Sequence, residues 1–168
     1  MNEFFSGAHL HLLVNHAPVF GALFGVALLA ASFIWMPDAL RRTALVVLVA
    51  TGVAGAAAYY SGENAVTAIR GLPGVLRQQT LAHEDMAEQA FLIGDLVAVL
   101  AIISLLKWRR EPVPTRVAGG MLLVSAWMMG AMFYTALLGG RVRHTEVRPG
   151  AKPADAALVE PTRERSGS

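Results

Sequence analysis

Residues 90–108, AFLIGDLVAVLAIISLLKW, run nineteen positions with a single acid, Asp95, and a single base, Lys107, close to the end. As a helix rising 1.5 Å per residue this stretch spans about 30 Å, the thickness of a bilayer's hydrocarbon core. It is continuously apolar rather than alternating, so it does not read as a barrel strand, and lipid admits only helices or closed barrels. Three more apolar runs, 12–36, 43–60 and 117–138, have the same character. The expectation is an all-α fold: a four-helix transmembrane bundle in up-down-up-down order over residues 1–144, with spans at about 12–36, 43–60, 87–108 and 117–138. The whole chain agrees: of its 168 residues 55% are hydrophobic and 15% charged, with a mean hydropathy of +0.49, outside the usual mix of a soluble domain.

Between the runs, the charges set an orientation. Loop 37–42 carries Arg41 and Arg42 against Asp38, and loop 107–116 carries Lys107, Arg109, Arg110 and Arg116 against Glu111. Positive-inside bias makes both loops cytoplasmic, leaving both termini and the stretch 61–89 on the exported face of a bacterial inner membrane. Six basic residues from Arg141 to Arg165 weigh against this orientation, Arg163 and Arg165 least because they lie far from the span. The first seven residues hold Glu3 and no Lys or Arg, unlike the basic start of a cleaved signal peptide, so the first span is expected to remain. Pro18 suits a first helical turn, with Asn15 as its N-cap. In the exported loop, 63–70 is expected to form a short interfacial helix ended by Gly71 and Pro73, and from Val75 the pattern runs as helix into span three. Residues 145–168, rich in Pro, Ala, Arg and Glu, read as a disordered hydrophilic tail. Small residues in span two (Gly52, Gly55, Ala56, Ala57, Ala58) and Gly21 and Gly25 in span one permit close helix approach.

The chemistry concentrates in histidine. There are no cysteines, which removes thiolate metal sites, iron–sulfur ligation and covalent haem attachment. All five histidines, His9, His11, His16, His83 and His144, fall at or just beyond span ends on the side assigned as exported. Imidazoles from different helices at similar depth can ligate haem iron or a transition metal; lone interfacial histidines more often do neither. No HExxH spacing supports zinc hydrolysis. On span three, His83, Ala87, Ala90 and Gly94 share one face with little bulk, either a groove for a flat macrocycle or a plain packing surface. Another face carries Glu84, Glu88 and Asp95. A carboxyl as deep as Asp95 costs about 2.5–3.5 kcal/mol to insert; it serves a proton path or a substrate, or it bonds Tyr59, Tyr60, Thr51 or Ser125. Met121, Met128 and Met132, with Met129 beside them, are soft ligands or ordinary filler. The net charge of +2, with no basic aromatic patch, points away from nucleic acid.

Four blocks, HLLVNHAPV (11–19), SGENA (61–65), HEDMA (83–87) and GGRVRHTE (139–146), resemble the signature blocks of a bacterial family of small four-helix membrane proteins, some of which occur with Rieske-type iron–sulfur proteins or other respiratory components. The resemblance covers nearly the whole chain except its tail and departs from the pattern at Ala17, where many relatives have Phe. It implies b-type haem on exported-side histidines and a role in electron transfer, with His16, Glu63, His83, Glu84, His144 and His11 carried over.

These readings together lead to an electron carrier or subunit rather than a stand-alone enzyme, working between the quinone pool and an exported redox partner, or anchoring that partner. His16 and His83 are the expected axial ligands, and His11 and His144 ligate a second haem or bond propionates. Arg141 and Arg143 sit where they can pair with propionates. Glu63, Glu84, Glu88 and Asp95 form the expected proton network. The rival readings are transition-metal (copper, zinc or iron) binding or transport by the same five histidines, and a structural subunit of a larger membrane complex.

Overall fold

The computed structural model describes residues 7–72, 74–144 and 147–149. Among them the chain is all-helical. Helix α1 covers Gly7–Val14, α2 Ala17–Ala31, α3 Pro37–Ile69, α4 Arg77–Lys107 and α5 Thr115–Arg143. Four segments are long and apolar enough to cross a membrane: His9–Ala31, which joins α1 and α2, then α3, α4 and α5. Helices α3, α4 and α5 run past the expected spans, whereas the first span ends at Ala31, short of the expected residue 36. At 33 and 31 residues, α3 and α4 are about 50 and 46 Å long. The expected short helix at 63–70 is the closing stretch of α3, which continues without a break to Ile69. The expected tail, 145–168, lies outside the described residues except for Val147–Pro149.

The break between α1 and α2 falls where Pro18 lacks an N–H to give the carbonyl of Val14. His16, not Asn15, occupies the N-cap position of α2. Helix α1 packs against α3, and the remaining four contact one another as a ring: α2 with α3, α3 with α4, α4 with α5, and α5 with α2.

Small residues decide how closely these helices approach. A Cβ on Gly25 would lie 2.6 Å from Leu48 of α3, and one on Gly52 would lie 2.5 Å from the Cβ of Ala98 on α4. The centre is filled by Leu29, Leu45, Leu48, Val97 and Met128, all fully buried. Large apolar side chains such as Phe24, Leu92, Ile103, Leu123 and Trp127 point outward, as suits a surface whose solvent is hydrocarbon. The hydroxyls of Thr51 and Ser104 return to carbonyls of their own helices, at 2.8 Å each, so they enter the bundle without unmet polar groups.

One end of the bundle is closed by polar bonds. Arg41, buried, donates to the Val113 carbonyl at 2.7 Å and to Thr115 Oγ1 at 3.0 Å. Arg42 pairs with Asp38 at 2.8 Å and donates to the carbonyls of Trp108 and Glu111, both at 2.7 Å. The Val113 N–H donates to Asp38 Oδ1 at 2.8 Å. Three residues at the start of α3 thus satisfy the orphan backbone groups of the α4–α5 loop. At the other end Arg148 donates to the carbonyls of Arg141, Val142 and Gly74, capping α5 and tying it to the α3–α4 connection.

Gly52→Ala should lower the melting temperature in detergent, because Ala98 Cβ cannot rotate away and forcing in a methyl costs about 1–3 kcal/mol. Gly130, with open space at its Cβ position, should accept alanine with no loss. Arg41→Ala should cost about 1.5–3 kcal/mol for its charged hydrogen bonds, read as faster proteolysis of the α4–α5 loop.

Candidate functional site

Two histidines are built into the fold. His83, on the second turn of α4, places Nδ1 3.0 Å from the carbonyl of Thr135 on α5. His11, on α1, places Nδ1 2.9 Å from the carbonyl of Ala58 on α3 and 3.2 Å from Ser61 Oγ. A carbonyl can only accept, so in each ring Nδ1 carries the proton, and a neutral ring then keeps Nε2 as a bare base. Tautomer and orientation are set by the carbonyl, the arrangement that commonly orients metal-ligating histidines.

Glycines make room for both rings. A Cβ on Gly139 would lie 3.0 Å from Cε1 and 3.3 Å from Nδ1 of His83, and one on Gly62 would lie 3.5 Å from Cε1 of His11. Both imidazoles therefore rest against neighbouring helix backbone. Thr135 secures the same level by donating from Oγ1 to the carbonyls of Ala131, at 2.9 Å, and Met86, at 3.2 Å. Of these supporting groups, Gly139 belongs to a block already singled out in the sequence, whereas Thr135 and Ala58 carry no sequence signal at all.

The other histidines behave differently. His16 is exposed at the N-cap of α2, where its carbonyl accepts from the Phe20 N–H at 3.1 Å, and its ring bonds no described residue. His144 closes α5 as its C-cap, and His9 lies on the exposed side of α1. No group of three or more His, Asp or Glu side chains poised for a metal ion occurs among the described residues. The small-residue stripe on α4 is occupied: Met132 Cε lies 3.3 Å from the Cβ position of Gly94, and Ala90 is buried. Met121, Met128 and Met132 are all buried in the apolar core, which matches filler.

Around the histidine pair stand unmet polar atoms. Arg141 Nε is buried without an acceptor among the described residues, two positions after Gly139 against His83, and Asn15 Oδ1 is buried without a donor. Arg143 is exposed. Glu63 and Glu88 are exposed, Glu84 and Asp95 half-buried, and none of these carboxyls bonds a described residue. Tyr59, Tyr60, Thr51 and Ser125, the neighbours expected for Asp95, do not bond it. Instead Tyr59 stacks on Phe91, centroids 4.6 Å apart and planes 6° from parallel, with Tyr60 edge-on to both.

Comparison of the chain with protein-family models, curated proteins and solved structures finds no match. The resemblance of the four sequence blocks therefore rests on those blocks alone.

The tautomers are open to direct measurement. Nitrogen-15 NMR of imidazole-labelled protein, at a pH where the rings are neutral, should show two histidines with protonated Nδ1 and bare Nε2. Gly139→Val should remove one of these signals by displacing the His83 ring.

Proposed function

We propose that this protein is an integral membrane haem b protein that carries electrons between the quinone pool and an exported redox partner, or anchors such a partner. The observation that carries this reading is the pair His11 and His83. They come from separate helices, and each has Nδ1 held by a backbone carbonyl and offers Nε2 as a base. Two imidazoles are too few for a bare ion, which asks for three or four protein ligands, but suffice for haem, whose macrocycle supplies the rest. His11 replaces His16 as the favoured partner of His83, since His16 has no bond to orient it. His144 and His9 remain candidates for propionate or secondary contacts.

A bound haem supplies a one-electron iron couple. Around it, Ala58 and Thr135 hold the ligand rings through Nδ1, and polarisation by these carbonyls makes Nε2 a stronger donor. The buried, unpartnered Nε of Arg141 calls for an anion, which a propionate provides. The occupied stripe at Gly94 keeps the macrocycle out of the deep bundle, so the site belongs at the level of Gly62 and Gly139. Among the described residues this function requires no further catalytic group.

The resemblance of the four blocks supports the same reading. So does the charge pattern: the end holding Arg41, Arg42, Lys107, Arg109, Arg110 and Arg116 is read as cytoplasmic, and the histidine end as exported. The spans follow up-down-up-down order, with both termini exported from a bacterial inner membrane. About twenty residues from Arg42 reach residue 62 across a ~30 Å core, which puts the His11–Ser61 contact at the exported boundary.

The test is a dithionite-reduced minus oxidised spectrum of the detergent-purified protein, with metal analysis on the same sample. A sharp b-type α-band, lost or shifted in His83→Ala and in His11→Ala and retained in His16→Ala, is the expected result. Stoichiometric metal without haem would move the assignment to metal binding. A featureless spectrum without metal would leave a structural subunit.

A further inference from the structure

Asp95 has no counterpart in the histidine site, and its surroundings single it out. It lies twelve residues from Lys107, about 18 Å along α4, near the middle of a ~30 Å core. It is half-buried and bonds no described residue. Two contacts fix its level: Gly52 meets Ala98, and Tyr59 stacks on Phe91. Since α3 and α4 therefore run past each other in opposite senses, Asp95 stands level with Gly55, whose Cβ position faces Met132 and Pro18, and no described side chain bonds its carboxyl. One turn nearer the histidine end lies the flat Tyr59–Phe91 stack, with Tyr60, 64% exposed, edge-on to it.

We propose that this edge of the α3–α4 seam is the binding site for the head group of a membrane quinone, with Asp95 as its hydrogen-bond partner and the Tyr59–Phe91 stack as the wall against its ring. An ionisable residue at mid-bilayer is retained where something pairs with it, and here no described residue does. A partner arriving at that depth comes through lipid and is itself lipid-soluble. Both redox forms of a quinone satisfy the group: the carboxylic acid donates to a quinone carbonyl, and the carboxylate accepts from a hydroquinone hydroxyl. No described side chain bonds the carboxyl, and a flat ring continues the stack already formed by Phe91 and Tyr59. Glu88 and Glu84 lie two and three turns further toward the histidine end, with the same helix face available for passing a proton outward. This inference deepens the electron-transfer reading by locating its quinone, but its observations do not involve haem.

The experiment is photolabelling of the detergent-purified full chain with an azido-substituted decylubiquinone, with and without excess unlabelled decylubiquinone, followed by peptide mapping. Competed label on peptides holding Tyr59 or Phe91–Asp95, reduced about tenfold or more in Asp95→Leu as expected for loss of one charge-assisted hydrogen bond, supports the site. Removing a mid-bilayer carboxyl favours insertion, so Asp95→Leu remains foldable; Asp95→Asn, which still donates and accepts, should keep part of the labelling. Label that is absent, uncompeted, elsewhere or unaffected by Asp95→Leu overturns it. So does Asp95→Cys forming a disulfide dimer in membranes that is blind to decylubiquinone, which would assign the face to a second copy. The haem spectrum of the same sample is read separately: labelling without a haem band keeps this site while removing the electron-transfer reading, and a haem band without labelling does the reverse.

Discussion

The approach of α3 to α4 at Gly52 sets the geometry of the rest of the molecule. With no side chain there, Ala98 comes as close as a methyl group allows, and the two backbones run together along the length of the seam. Lipid provides no hydrophobic force to drive helices together, because hydrocarbon tails are as apolar as leucine, so contact surface and close packing carry the association. The same contact sets the level at which Tyr59 meets Phe91 and at which Asp95 passes Gly55. Glycine recurs wherever a neighbour comes in close: Gly25 against Leu48, Gly94 against Met132, Gly139 against His83.

The two ends of the bundle use polar groups differently. At the basic end, Asp38, Arg41 and Arg42 bond the backbone of the α4–α5 loop, with Arg41 Nε left buried and unpartnered among the described residues, and the loop becomes a clasp. At the histidine end, His11 and His83 use one nitrogen each on backbone carbonyls and keep the other. A ring held at one nitrogen and bare at the other is oriented for a ligand. Arg141, its carbonyl engaged by Arg148, keeps a buried unpartnered Nε at this end, as Arg41 does at the other.

Asp95 is a third case, a half-buried polar group well inside an apolar helix whose carboxyl bonds no described residue. Its cost is borne by every copy inserted, while the Leu, Ile and Val around it on the outer face of α4 carry none. Its position one turn from an aromatic stack separates it from a chance polar substitution on a lipid-facing helix.

Four apolar runs, their helical state and the gathering of the histidines at one end were legible in the residues themselves, because a bilayer constrains composition and length directly: a span must be apolar, long enough and internally hydrogen-bonded. Which residues face inward was not legible, since in lipid the outside of a helix is as apolar as its inside and no period marks the buried stripe. For that reason the methionines and the Ala90–Gly94 stripe read as filler or as site, and Met132 against Gly94 matches filler. His16 read as a stronger ligand than His11; the turn before Pro18 leaves its ring exposed at a helix cap and sets His11 against Ala58. Helix α3 continues past the apolar run because polar residues such as Ser61 and Glu63 end an apolar run without ending a helix, and α4 begins at Arg77, close to the expected Val75. Only the tertiary structure decided which carbonyl each imidazole meets, and that Asp95 meets none, because hydrogen bonds to main-chain oxygens on other helices depend on register and close approach, and neither leaves a trace in residue type.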